Sequence, residues 1–477
     1  MDGWQQRLGT ELAGLGVELE DLKPLHGGAC QENFAIRCVG GERFALRSDA
    51  QKSLPGSLDR RMESEVVRVA CGAGVPTPAV RLVLPDLIRP GSTAYVMDWA
   101  EGVAIAAKIH RDPSLAKARE GLVAELAAAL ASVHSVRPES APLLRPNTPQ
   151  DGLGGDPVGA ALGFCRAMMD RLSPRPALER VFGWLDGNRP DPGPLVLVHG
   201  DYRVGNFLVT GSGLSAVLDW EFAHWGSAAE DLAWITVRDW RFGRPDRAVG
   251  GLGTRAEFLA AYRAAGGVQV SAEALRWFEV LGNLRWATGA IFQAQRVLSG
   301  TSADLELLAI GRRAAEMEWE ALRVMGSIAE SHRVATPAVG PVSVDEPDVA
   351  VLLGGLGRFL GEAVVPAIAD RGLGFRVRIA AHLAGVAARE AVLGESSAGM
   401  DLEDLVELGL AEPTVGAEAV RSAVWAGRAA WAEAIRQGRA DLALTDRALQ
   451  ASLGRQLAIS NPRFGLAPHL GDDPWIS

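Results

Sequence analysis

Basic residues are in deficit in this chain of 477 residues: 48 Lys and Arg stand against 58 Asp and Glu, a formal charge of -10. No Lys/Arg run interleaved with aromatics occurs either. Both absences argue against electrostatic binding of nucleic acid or of an anionic membrane surface. Cysteine is scarce, and the four present (Cys30, Cys38, Cys71 and Cys165) form no CxxC pair; HExxH and Cys/His clusters are missing as well. That speaks against a structural zinc site and a disulfide framework, and fits a reducing cytoplasm. The N-terminus, MDGWQQRLGTELAGL, lacks a basic region followed by a long apolar core, so no signal peptide is expected. The most membrane-like stretches, LVAELAAALASVH and VAVLLGGLGRFLGEAVV, are interrupted by Glu125, Arg358 and Glu362. They read as buried amphipathic helices, with no membrane partner expected. Neither GxxxxGK[ST] nor GxSxG occurs, which disfavours a P-loop enzyme and a nucleophile-elbow hydrolase. In the run 349–364 a glycine fingerprint fails because Leu360 takes its last small position, so dinucleotide binding is not expected there.

What is present is an ordinary globular composition, 48% hydrophobic and 22% charged, long enough for roughly two to four domains. The first hundred residues are rich in strand patterns. NFAIRCVGGERFALRSD is two alternating runs around Gly40-Gly41, a hairpin signal, and VPTPAVRLVL and AYVMDWAEG read as further strands. SEVVRVACGAG has helical spacing. Helical patterns dominate from about residue 112 onward, with a second hairpin at 195–220. SHRVATPAVGPVSVDEP, residues 331–347, has no helical period and reads as an interdomain linker. Beyond it, helical patterns at 348–369, 375–394, 417–437 and 441–459 predict a small bundle.

The chemistry concentrates in LVLVHGDYRVGNFLV, residues 195–209. NFLVT and LSAVLD are strand-forming runs joined by Gly211-Ser212-Gly213; pairing Thr210 with Leu214 places Asn206 opposite Leu218 and returns Asp219 to its neighbourhood. Asp201 lies one short loop away. Two Asp and one Asn supply hard oxygen donors of the kind Mg²⁺ takes, and phosphoryl transfer needs a carboxylate to accept the acceptor hydroxyl's proton. A lone Asp at a strand end is a cap in most proteins. The joint spacing, five residues from Asp201 to Asn206 and thirteen to Asp219, is what favours a site, since the kinase catalytic loop has the same five-residue step.

HGDYRVGNFLV…VLDWEFA resembles the catalytic block of the aminoglycoside phosphotransferase/choline kinase superfamily, over roughly residues 20–325. The resemblance implies an α+β, bilobal protein-kinase-like fold followed by a small all-α domain. It implies ATP and Mg²⁺ as cofactors and a small-molecule hydroxyl as acceptor. Asp201 would be the base, with His199 supporting the loop and Arg203 positioning it. Asn206 and Asp219 would bind the metal, Glu221 assisting, while Asp231 of GSAAEDLAW would be a structural partner of the loop. Gly27 and Gly28 precede a strand as a phosphate loop would. Arg47 occupies the place of the phosphate-contacting lysine, a departure, because the Arg fork is no geometric copy of Lys. Glu63 rather than Glu65 matches the partner carboxylate, with Val66, Val67, Val69 and Ala70 in the family's apolar pattern; Met97 to Trp99 resembles the adenine-binding hinge. Arg-containing strands of this kind point to the branch of kinase-like domains associated with acyl-CoA dehydrogenases.

The organisation expected is therefore a nucleotide-binding lobe over 1–99, a catalytic and acceptor lobe over 100–330, a linker over 331–347 and a helical accessory domain over 348–477. The last resembles an uncharacterised helical domain found after such phosphotransferases. It leaves homo-oligomerisation open, and its Arg376, Arg378, His382 and Arg389 read as a solvated face. The acceptor is not legible: Asn283, Trp286, Gln293 and Gln295 enter consideration as cleft residues, and a hydroxyacyl compound as substrate. A pseudokinase that binds nucleotide without transfer is the competing reading.

Overall fold

The computed structural model describes residues 3–25, 32–49, 54–144, 148–244, 246–328 and 347–464. Gly27, Gly28 and all but the last residue of the expected linker lie outside the described residues. Two compact units divide the chain. The first takes the residues up to Phe164 together with Pro190–Phe278; the second takes Cys165–Arg189 and the residues from Glu279 onward.

In the first unit, helix α1 (Gly3–Ala13) precedes five antiparallel strands: β1 (Leu19–Pro24), β2 (Glu32–Cys38), β3 (Arg43–Ser48), β4 (Val80–Pro85) and β5 (Thr93–Asp98). Their order is β1-β2-β3-β5-β4, which makes β3 and β5 central. The β2–β3 hairpin turns at Gly40-Gly41, where Gly41 has a φ of +90° that a side chain would resist. Alternation along β2 and β3 sends Ile36, Cys38 and Leu46 to one face, where Leu8 and Leu12 of α1 cover them. Helix α2 (Arg60–Gly72) starts at Asp59, whose carboxylate accepts from the Met62 N–H, and it buries Glu63, Val66, Val67 and Ala70.

The helical remainder of this unit holds α3 (Ala106–Arg111), α4 (Ala116–Ser135), the start of α5 (Pro157–Met169), α7 (Ala228–Trp234), α8 (Arg255–Ala264) and the start of α9 (Ala272–Leu298). Two short antiparallel pairs carry the site: β6 (Leu195–Val198) with β9 (His224–Ser227), and β7 (Phe207–Thr210) with β8 (Gly213–Val217). The β7–β8 tip is tighter than the expected three-residue loop, with Thr210 opposite Gly213. A register shift between Leu208 and Val209 then absorbs the difference. Phe207 faces Val217, and the Leu218 N–H donates to the Asn206 carbonyl at 2.8 Å, which is the pairing expected at the site end.

The second unit is helical: α6 (Pro176–Gly187), α10 (Leu305–Arg312), α11 (Ala314–Val324), α12 (Val349–Arg358), a π-helical stretch at Phe359–Val364, α13 (Val365–Ala367), α14 (Arg371–Glu407), α15 (Ala417–Arg436) and α16 (Leu442–Ser460). Bidentate Arg175–Glu318 and Arg180–Asp446 pairs tie its segments together. Helix α14 runs 37 residues, through Gly394 and Gly399, where the sequence pattern stops at 394. Each interior glycine costs about 1 kcal/mol of helix propensity, and packing of α14 on α15 and α16 overrides it.

One expectation fails here. Residues 349–364 do not form a buried helix: no residue of α12 or of the π-helical stretch is buried. The segment Val349–Ala367 is long and apolar enough by composition to cross a membrane, at mean hydropathy 1.5. Two of its glycines face α14, Gly357 lying against the Ala381 carbonyl and the Ala384 methyl and Gly361 against the Ala381 methyl. The small-residue face packs closely, and the large side chains Leu352, Leu356 and Phe359 are turned outward, 50–61% exposed. A side chain at Gly357 has no room, so Gly357→Leu should cost about 1–3 kcal/mol and raise hydrogen exchange across α12, whereas Leu356→Gln should leave both unchanged.

Candidate active site

Strand β6 delivers the loop His199–Asn206 from a stem buried over Val196–Val198. Gly200 has φ +80°, and a Cβ there would collide with the Phe222 carbonyl. The loop is held from below by Asp231, in the first turn of α7. Its carboxylate accepts from the His199 N–H at 2.7 Å, the Gly200 N–H at 2.9 Å and His134 Nε2 at 3.2 Å. Burial works to raise the Asp231 pKa, but the His134 and backbone contacts outweigh it and the net shift is downward. The chain continues outward: the Val268 N–H donates to the Tyr262 hydroxyl at 3.1 Å, and that hydroxyl lies 2.7 Å from His134 Nδ1. Since the hydroxyl accepts from Val268, its own proton goes to Nδ1, and Nε2–H is left to face Asp231.

His199 is fully buried, its ring 4.5 Å from that of Trp220. The Asp201 N–H donates to its Nδ1 at 3.2 Å, so Nε2–H donates to the Leu218 carbonyl at 3.0 Å. One imidazole thereby joins the loop to the hairpin's far strand. Tyr202 anchors the loop on the other side by donating to the Leu126 carbonyl of α4 at 2.7 Å.

Asp201 itself gathers three donors. Arg203 Nε lies 2.9 Å and Trp234 Nε1 2.8 Å from Oδ1, and Asn206 Nδ2 is 2.7 Å from Oδ2. Arg203 stacks its guanidinium on Trp240, 4.5 Å from the ring centre. A carboxylate offers about four acceptor directions, so room for one hydroxyl remains. Asn206 Nδ2 also donates to the Asp201 carbonyl at 2.9 Å, and its Oδ1 makes no hydrogen bond among the described residues.

Asp219 follows the hairpin with φ +68°, a left-handed conformation that Asp tolerates better than most residues. Its Oδ1 accepts from Arg47 Nη2 at 2.7 Å, and the same Nη2 lies 3.2 Å from Glu63. Arg60 pairs with Glu63 and, at 3.0 Å, with Glu221. Burial disfavours the charge on Arg47, yet Glu63, Tyr95 and Asp219 hold its pKa well above the usual value. Two guanidiniums thus face three carboxylates. Burial first, then the charge of Asp219, push Glu221 up to about 7. Among the described residues no three His, Cys, Asp or Glu cluster to hold a metal. The surplus negative charge and the uncommitted Asn206 oxygen nevertheless fit a hard divalent cation that takes few protein oxygens and fills its shell with water and phosphate.

Of the remaining expected residues, Glu63 is buried, and Glu65 is exposed beside Arg68. Met97 belongs to the sheet core with Ala45 and Tyr95. The Trp99 N–H donates to the Arg43 carbonyl at 3.2 Å, while the Trp99 carbonyl and the Ala100 N–H make no hydrogen bond among the described residues. Asn283 is buried and donates to the Glu279 carbonyl; Gln293 accepts from Arg296. Gln295 lines a cavity within the second unit. Three participants escaped the sequence reading. Arg60 stands three residues before Glu63, a helical spacing that could have signalled it, and Trp234 stands three after Asp231. His134, 97 residues from Asp231, left no local sign.

Comparison with known proteins adds the following. Residues 21–268 match the phosphotransferase enzyme family, and residues 366–464 match a domain of unknown function. Acyl-CoA dehydrogenase family member 10 of Mus musculus is 27% identical over 48% of this chain, and family member 11 of Gallus gallus 30% identical over 41%. The matched stretches span only 21% and 25% of those relatives. A crystal structure from Ralstonia eutropha, whose description assigns it only provisionally as an aminoglycoside phosphotransferase, superposes with a TM-score of 0.53 at 20% identity, covering 67% of this chain and 98% of its own. The α+β, protein-kinase-like fold expected from the sequence is the fold observed.

Asp231 is the carboxylate whose removal should be felt most. Asp231→Asn would set an amide N–H₂ against two backbone donors and His134, and should cost about 3–5 kcal/mol in thermal or denaturant unfolding. The folded-state pKa lies below the ordinary one, so this contribution is intact near neutrality and fades as acid titrates the carboxylate. The gap between wild type and variant should accordingly narrow with falling pH.

Proposed function

Because the chain belongs to the phosphotransferase enzyme family, and is in consequence a small-molecule kinase with a hydroxyl acceptor, we propose that it transfers the γ-phosphate of ATP with Asp201 as the base. The observation that carries this reading is the Asp201 carboxylate, positioned by Arg203, Trp234 and Asn206 with one acceptor direction to spare. An acceptor hydroxyl there would be oriented for in-line attack and would hand its proton to Asp201. Asn206 and Asp219, assisted by Glu221, would hold Mg²⁺, which when bound neutralises charge on the phosphate oxygens. Arg47 would lie under the phosphates. The Trp99 carbonyl and Ala100 N–H would meet the adenine edge, one residue further along than the Met97–Trp99 hinge expected from the sequence.

The names of the two curated relatives and the Arg-containing β3 make a hydroxyacyl compound the first acceptor to try. The competing reading, nucleotide binding without transfer, has one observation in its favour: Arg47 Nη2 already occupies Asp219 Oδ1.

The deciding experiment measures Mg²⁺-dependent ATP consumption over hydroxylated metabolites, including 4-hydroxyacyl-CoA thioesters and aminoglycosides, beside Asp201→Asn. Turnover with one acceptor should fall about 10²–10⁴-fold in the variant, with nucleotide affinity nearly unchanged. Wild-type turnover in Asp201→Asn would remove Asp201 from the role of base. Nucleotide binding without transfer to any acceptor would favour the pseudokinase.

A further inference from the structure

The second unit carries a cavity built for a different ligand. One compartment, about 350 Å³, has mixed walls, apolar at Pro174, Ile291, Leu298, Leu449 and Leu453 and polar at Gln295, Glu318 and Ser452. Another, about 670 Å³, is lined by five arginines, Arg175, Arg312, Arg421, Arg428 and Arg455, against the carboxylates Glu390, Glu395 and Asp401. Arg175, Trp425, Arg428 and Gln456 border both. Volumes of this size suit small-molecule sites. Counting Glu318 and Asp404, which pair with Arg175 and Arg455, the five arginines meet five carboxylates, so what matters is which guanidiniums keep donors to spare.

Most of these guanidiniums have internal partners. Arg175 is bidentate to Glu318, Arg312 meets Glu390 at 2.6 Å, and Arg455 meets Asp401 and Asp404. Arg428 reaches Asp401 at 2.5 Å through Nη2 alone. Arg421 forms no ion pair among the described residues. Arg421, Trp425 and Arg428 are spaced i, i+4 and i+7 along α15, which puts them on one helix face. Trp425 is 68% exposed, an unusual position for an indole between two cations. The hydroxyls of Ser397 and Ser460, both on the arginine-lined wall, are buried and make no hydrogen bond among the described residues. A core pocket would not combine one arginine without an ion pair among the described residues, an exposed indole and two buried hydroxyls without partners among those residues.

We propose that the second unit binds a small amphiphilic anion, an alkyl chain ending in a carboxylate or phosphate. Arg421 and Arg428 take the head as charge-assisted hydrogen-bond donors, the Trp425 face covers the start of the chain, and the Ile291, Leu298, Leu449 and Leu453 side of the smaller compartment holds the rest. This inference does not rest on the transfer chemistry proposed above.

Isothermal titration of the full chain, without nucleotide, with decanoate, decanol and inorganic phosphate tests it. Decanoate should bind at one site, and decanol and phosphate at least tenfold more weakly, because each offers half of the ligand. Arg421→Gln should weaken decanoate about tenfold, and Trp425→Ala should weaken it too, at unchanged melting temperature since both side chains are exposed. Absence of decanoate binding, or equal binding by wild type and Arg421→Gln, would overturn the proposal. Phosphate binding as tight as decanoate would reduce the site to a bare anion site and also overturn it. Wild-type sedimentation with phosphatidylglycerol vesicles, lost in Arg421→Gln, would assign the arginines to a bilayer surface instead of a free ligand.

Discussion

Everything at the candidate active site hangs from one buried carboxylate. Asp231 satisfies two consecutive backbone donors at the strand-to-loop junction, where the β6 ladder has ended and Gly200 has turned left-handed. Without that acceptor the two N–H groups would be buried and unpaired, at a penalty of about 1–3 kcal/mol each, a large fraction of a domain's net stability. The position of Asp231 on α7 matters as much as its charge. The same short helix brings Trp234 onto Asp201, so the element that fixes the loop backbone also orients the carboxylate at its centre. His134 and Tyr262 extend the support into α4 and α8, two helices that pack on each other.

A second constraint is electrostatic. Arg47, Arg60, Glu63, Glu221 and Asp219 gather strands and helix in one low-dielectric place, with anions in excess. Networks of this kind are weak sources of stability, because desolvation offsets much of the Coulomb attraction. They are effective at discriminating geometry. An Arg at the lysine position can hold Glu63 and Asp219 with a single nitrogen and still carry further donors, which a point-charge ammonium does less readily.

Much of this could be read from the sequence because it is local. Alternation around Gly40-Gly41 and the spacing of Asp201, Asn206 and Asp219 depend on strand periodicity and turn chemistry, and the pairing of Asn206 with Leu218 came out as expected even though the hairpin tip did not. Glu63 could be separated from Glu65 because helical spacing decides which side faces inward. Contacts that join distant segments were illegible for the opposite reason: nothing near His134 encodes Tyr262, 128 residues away. The segment 349–364 misled because hydrophobicity was read as burial. Gly357 and Gly361 lie on the packed face while Leu352 and Leu356 point outward, and composition does not reveal which face a partner helix takes. The extent of α14 was missed because glycine was read as an end signal where tertiary packing carries the helix on.

The irregularity in the β7–β8 ladder has a practical side. The tip at Gly211-Ser212 and the end that meets the His199–Asn206 loop are separated by a shift in pairing between Leu208 and Val209. Such a joint lets the outer part of the hairpin vary in length while the inner part keeps its register. Natural variation in loop size should therefore collect at the tip, and a fluorophore or affinity tag grafted there would report on the protein while leaving the spacing between Asn206 and Asp219 undisturbed.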